Sequence, residues 1–373
     1  MISGHAMTLV YCAALASVSI AYPGHRPLAS KRSGSESVVP LIFNTEGMVG
    51  LVEIGTPGQP LTMQFDTRFG GVIVQSVTET SVAGGALQYN MYHSSTAAAD
   101  HSTDLYLHRF ADGDEITYTM LFDTFDVGGV LFPSVPFGQL HDYYPASSDG
   151  HLVLDGASGF FGLRHLEAGG GFMDSIKGQL PYWVCTIDGY RLSENGTLRL
   201  GSIDSAEYSG DIAWTEQNSD RWTVNLTMIS AGDRINPPDP QWSAAVATED
   251  LSLSWPQYLL DWYFQGINAT WSAFDKTYRY PCNITLPDFV FAVGNGTFRV
   301  PGSYLPYQRD LSGNCISIIT GTNSTSADYT FGSWWVQLGF LVLDFENSRV
   351  GFANKSTPLP SYGVSSLEVV PFA

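Results

Sequence analysis

The stretch LTMQFDTRFGGVIV, residues 61–74, decides how the rest of this chain is read. Apolar Leu61, Met63 and Phe65 fall on alternate positions, the period of a strand with one buried face. The strand ends on a carboxylate, Asp66, turns through Thr67, Arg68, Phe69, Gly70 and Gly71, and resumes as Val72, Ile73 and Val74. Just upstream, GLVEIGTPGQP at 50–60 reads as a strand, a tight turn on Gly and Pro, and the return strand. A hairpin therefore delivers one acid to the end of a β-strand.

Working outward, the 373 residues are too many for one ordinary domain and enough for two lobes, each with its own core. Charged residues make up only 14%, aromatic residues 13%, and there are 38 Gly and 20 Pro. That composition suits an all-β protein rich in turns and excludes a helical bundle or a disordered chain. The formal net charge of −19 disfavours binding to nucleic-acid phosphates, so no nucleic acid is expected as a partner. An acidic surface also suits solubility in acid surroundings.

Residues 50–74 resemble the N-terminal active-site segment of the pepsin-like aspartic peptidases (peptidase A1), whose pattern is IGTPxQ followed, after a spacer, by DTGSS. Asp66 and Thr67 match, while Arg68 stands at the glycine position and Phe69 at the serine. The likeness continues through Tyr92–Thr96 and through a segment similar to the family's flap hairpin, RFADGD at 109–114 and YTMLFDT at 118–124. Phe110 stands where the flap tyrosine is expected, followed by Asp112. DGASGFFGL at 155–163 is similar to DGILGLG, with Phe160 and Phe161 read as plain core.

The second half echoes the first. AAVATEDLSLSWP at 244–256 aligns without a gap on the family's second motif, AVVDTGTSLLTLP, with Ala247 at the aspartate and Glu249 at the glycine. Thr248 is kept, and Asp250 follows. Ser333 stands for a later aspartate, and LDFENSRVGFA at 343–353 matches the closing strand. The resemblance runs from about residue 40 to 356 and is closest in character to secreted fungal members. It implies a bilobal all-β fold of two related β-barrel-like lobes, residues 36–190 and 191–373, with a deep cleft between them. It also implies a disulfide between Cys282 and Cys315, closing a loop of about thirty residues and worth roughly 3–4 kcal/mol in the chain-entropy model. Cys185 in the strand YWVC reads as a buried thiol.

Targeting signals precede the lobes. The run from Ala6 to Ala21 has signal-peptide length and small residues at its end, too short for a membrane span. The expected division is a signal peptide at 1–21 and a short propeptide at 22–32, ending at Lys31-Arg32. Sequons at Asn195, Asn225, Asn268, Asn283, Asn295, Asn323 and Asn354 point to a secreted glycoprotein. The C-terminal end carries no apolar tail, so no membrane anchor is expected.

The chemistry implied by the resemblance needs two carboxylates sharing a proton and a water, one acting as base while the other donates. With a methyl group at Ala247, that pair is broken and Asp66 is a remnant. Asp66 loses the like-charged neighbour that would raise its pKa, and Arg68 nearby should favour its ionised form further. Since the family's two motifs are related by a two-fold axis, Arg68 and Glu249 either pair across the cleft floor, with Asp66 on the same guanidinium, or turn outward to solvent. Thr67, Arg68, Phe69, Phe110, Asp112, Thr248, Glu249 and Asp250 are the expected cleft residues. Three functions follow: a silent homologue binding a peptide, protein or small molecule in the cleft; an enzyme using Asp66 with Arg68 or Glu249 on a small molecule; or an atypical endopeptidase. No cofactor and no metal are expected, since the eight histidines show no ligand spacing and Ser158 lacks a nucleophile elbow. His151 and His165 read as surface or loop residues. A monomer is expected.

Overall fold

A computed structural model describes residues 32–44, 47–77, 86–100, 104–110, 113–144, 156–165, 170–190, 195–217, 221–235, 242–251, 253–322, 329–358 and 369–370. The expected signal segment, the propeptide up to Lys31, Asp112, His151 and Asn323 lie outside these residues.

Strands dominate, as the composition requires. Among the described residues they form two sheets, one of 14 strands and one of 12, with short helices at Phe172–Ile176, Gln257–Phe264 and Ser333–Val336. Where one strand face meets the core, burial alternates, as along Trp242–Ala247 and in the second half of Glu115–Val127. This is the all-β pepsin-like fold in two lobes.

Each sheet contains the same four-strand weave. In the first, Gln59–Asp66 runs parallel to Gly159–Gly162, which is antiparallel to Val72–Val74, which is parallel to Val130–Tyr144. In the second, Trp242–Ala247 runs parallel to Tyr329–Gly332, which is antiparallel to Leu253–Pro256, which is parallel to Asn314–Thr322. Asp66 lies opposite Gly162, and Ala247 lies opposite Gly332. Gly162 has to be glycine, because a Cβ there would come within 2.4 Å of the Phe69 and Gly71 carbonyl oxygens. The first strand of each weave thus ends at the place where the chain crosses itself most tightly.

The two halves share more than a seam. Ser37–Asn44 pairs with Gly196–Leu200, and Val184–Asp188 pairs with Phe340–Asp344, so the first sheet takes strands from beyond residue 190. Two buried ion pairs pin these late strands: Arg349 Nε to Asp344 at 2.7 Å, and Lys355 to Asp188. The indole N–H of Trp222 donates to the Leu163 carbonyl across the halves, at 2.7 Å. Cys282 and Cys315 are bonded, with Cα atoms 4.9 Å apart, and Cys185 is a buried free thiol. Phe160 and Phe161 are core residues, as expected. His165 is on a loop, as expected, and packs half-buried among the rings of Trp183, Trp222 and Phe345.

Candidate functional site

The site is assembled by two threonines. Thr67 Oγ1 donates to the Val246 carbonyl at 2.6 Å, and Thr248 Oγ1 donates to the Phe65 carbonyl at 2.7 Å. Each threonine oxygen also accepts the other's backbone N–H, at 3.1 Å in both directions. Both side chains are buried, so every one of these groups needs its partner. The exchange is mutual, and it places the preceding residues, Asp66 and Ala247, at equivalent positions on either side of a two-fold axis.

Asp66 ends the alternating strand Gln59–Asp66 with its carboxyl folded back onto the following turn. Its Oδ1 accepts the backbone N–H groups of Arg68 at 2.6 Å and Phe69 at 3.0 Å. Among the described residues, no carboxyl group hydrogen-bonds to it. Asp66 is 3% exposed, and burial pushes its pKa up. The two amides and the charges of Arg68 and His108 pull the other way. Arg68 favours the ionised form, but desolvation by the closed turn is the larger effect and the net shift is upward.

Arg68 and Glu249 meet. Arg68 Nε donates to Glu249 Oε1, linking the two positions that follow the threonines. The arginine side chain is 44% exposed and the glutamate 9%, so the pair bridges from solvent into the floor. Only part of the expected arrangement forms, since Asp66 is bonded by the backbone of Arg68 and not by its guanidinium. Glu249 Oε2 is buried and takes no hydrogen bond among the described residues. Asp250 lies one step further: its N–H donates to the Ala247 carbonyl at 3.0 Å and its carbonyl accepts from Ser333 N at 2.6 Å.

An apolar wall stands beside Asp66. Phe69, Ile73, Ile116, Leu140 and Phe160 pack together, and Phe110 joins them with its ring 6.3 Å from Phe69 and 5.8 Å from Phe160. Sequence reasoning missed His108, whose ring lies 5.1 Å from Phe69 and 4.7 Å from Phe110. No local signal marked it, because His108 sits alone on the strand Tyr106–Arg109 and the face it meets comes from another segment. Burial lowers the His108 pKa, while the charge of Asp66 opposes that shift. Arg164 was missed as well. Its N–H donates to the Phe69 carbonyl at 2.9 Å, and its charge is within reach of Asp66.

The family model described as eukaryotic aspartyl protease matches residues 48–355. The chain belongs to that family. Its relatives include podosporapepsin of Podospora anserina, 28% identical over 342 residues covering 88% of this chain and 78% of the other. Endothiapepsin of Cryphonectria parasitica is 26% identical over 345 residues, 88% of this chain and 80% of its own. Gastricsin of Oryctolagus cuniculus is 24% identical over 348 residues, 88% and 87%. Within this eukaryotic aspartyl protease framework the threonine exchange is complete, while the positions flanking the threonines carry Asp66 and Arg68 on one side and Ala247 and Glu249 on the other.

Proposed function

We propose that this chain keeps the family's inter-lobe cleft but has lost its two-carboxylate peptide hydrolysis, and that it holds a peptide, protein or small molecule there. One observation carries the reading. Of the two equivalent positions fixed by Thr67 and Thr248, one bears a carboxylate and the other the methyl group of Ala247. A single carboxyl cannot act as base on the attacking water and as acid toward the carbonyl in the same step. The guanidinium of Arg68 and the carboxylate of Glu249 neutralise each other beside it. Removing one essential catalytic partner commonly costs roughly 10⁴-fold or more in rate.

The test is a cleavage assay on a diverse peptide library from pH 3 to 7. The native chain is expected to give no turnover. The triple change Ala247→Asp, Glu249→Gly, Arg68→Gly is expected to restore turnover that Asp66→Asn then abolishes. Turnover by the native chain that is lost in Asp66→Asn would overturn the proposal and favour an atypical endopeptidase.

A second reading, an enzyme acting on a small molecule, gains support from His108. A carboxyl whose pKa is raised by burial and an imidazole within its electrostatic reach are two proton-transfer groups on one apolar wall. Under that reading Asp66→Asn and His108→Gln each abolish turnover of the bound molecule. Under the first reading they change only its affinity.

The leader-like run at 6–21 and the sequons support secretion as a glycoprotein. Six of the seven sequon asparagines fall among the described residues, and all six are exposed. Among the described residues, no helix is long and apolar enough to cross a membrane.

A further inference from the structure

At the outer edge of the second sheet, the hairpin of strands Thr270–Ser272 and Thr277–Pro281 stands beside the strand Asn314–Thr322. Between them lies a cavity of about 520 Å³, distinct from the residues around Asp66. That volume is within the ~300–1,000 Å³ range of small-molecule sites. Its aromatic lining is Trp271 and Phe274, and its polar lining includes Arg279, Asp310, Asn314 and Asn268. Phe274, on the hairpin turn, is 75% exposed, so folding alone gives it little to pack against. The indole N–H of Trp271 has no hydrogen-bond partner among the described residues.

The polar groups are held in place before any ligand arrives. Arg279 donates through Nε and a terminal nitrogen to Asp275, at 2.8 and 2.5 Å, and its other terminal nitrogen lies 3.8 Å from Asp310. Asp310 accepts from the backbone of Ser312 and Asn314, each at 2.9 Å, and from the Asn314 side chain at 3.2 Å. The opposite walls are tied, because Pro281 is in register with Asn314 and the next residues are the bonded Cys282 and Cys315. Two carboxylates around one guanidinium disfavour an anionic ligand and favour one rich in neutral hydroxyl donors. Aromatic faces carry partial negative charge and suit the weakly positive C–H edges of a saturated ring.

We propose that this cavity binds a neutral pyranose ring, stacked on Trp271 or Phe274 and hydrogen-bonded by Asp310, Asn314 and Arg279. The sugar has two possible sources. It is either the chain's own N-linked glycan on Asn268, whose exposed side chain lines the rim, or an external oligosaccharide.

The experiment uses full-length protein from a glycosylating host, titrated with N,N′-diacetylchitobiose and with mannotriose by calorimetry and saturation-transfer NMR. Asn268→Gln is expected to bind at least one probe, with affinity weakened about tenfold or more by Phe274→Ala and by Trp271→Ala. Phe274 is exposed enough that its removal leaves folding intact, which a melting curve checks. If the glycosylated parent excludes the probe that Asn268→Gln binds, the occupant is its own glycan. If both bind equally, the occupant is external. No binding to either form, or binding undiminished in both aromatic variants, overturns the proposal.

Discussion

At the scale of single residues, Asp66 is a carboxyl whose burial outweighs every favourable contact. Its folded pKa is raised above the ordinary 3.8. The fold therefore prefers the protonated form, and the stability from that preference is fully present below pH 3.8 and lost as pH rises through the folded value. Asp66→Asn keeps an acceptor for the Arg68 and Phe69 amides without the charge. It is expected to raise the denaturation midpoint at pH 7 and to leave it unchanged at pH 3. Equal gains at both values would show that desolvation is not the cause. The Arg68–Glu249 pair makes a second residue-scale claim. Removing Arg68 leaves a largely buried carboxylate without its donor, while Arg68's own exposure screens much of the attraction. Arg68→Ala is expected to destabilise by about 1 kcal/mol in urea titration. Adding Glu249→Ala should recover most of that loss, which a double-mutant cycle reads directly.

At the scale of elements, the two strands that end at Asp66 and Ala247 are joined by a symmetric exchange of threonine hydrogen bonds. Thr248→Val keeps the shape but orphans the Phe65 carbonyl and the Thr67 N–H. Thr67→Val does the same to the Val246 carbonyl and the Thr248 N–H. Each change is expected to cost about 2–3 kcal/mol, and the two costs should match. A silent substitution on one side would mean the exchange is not mutual. These threonines were legible in the sequence, since the motif places one after each expected acid. The direction of the Asp66 pKa was not. It depends on how far the packed molecule removes the carboxyl at the turn from water. His108 went unread for a related reason: a lone histidine on a strand carries no local sign that its face will meet Asp66. His165 reads as a loop residue, but its ring contacts with Trp222 and Phe345 come from distant segments and were not legible.

At the scale of the whole molecule, the two halves in sequence are not two independent units in space. The expected boundary at 190/191 falls between Val184–Asp188 and Gly196–Leu200, which are paired neighbours in one sheet. Strands Phe340–Asp344 and Arg349–Lys355 complete that same sheet, anchored by Asp344 with Arg349 and Asp188 with Lys355. Fragments 32–190 and 191–373 produced separately would leave sheet edges and buried charges without partners. Each is expected to aggregate alone and to become soluble when the two are co-expressed. A 32–190 fragment showing a cooperative melt by itself would refute this.

The sequence by itself determined the all-β class, the family, the position of Asp66, the methyl group at Ala247 and the two threonines. These are fixed by alternation along one strand and by motifs read within a few residues, which need no knowledge of distant segments. Only the tertiary structure decided that Arg68 turns inward to Glu249, that burial raises the Asp66 pKa, and that His108 joins the site. Those outcomes depend on desolvation and on contact between segments far apart in the chain, and desolvation is a property of the packed molecule that no local stretch of sequence carries.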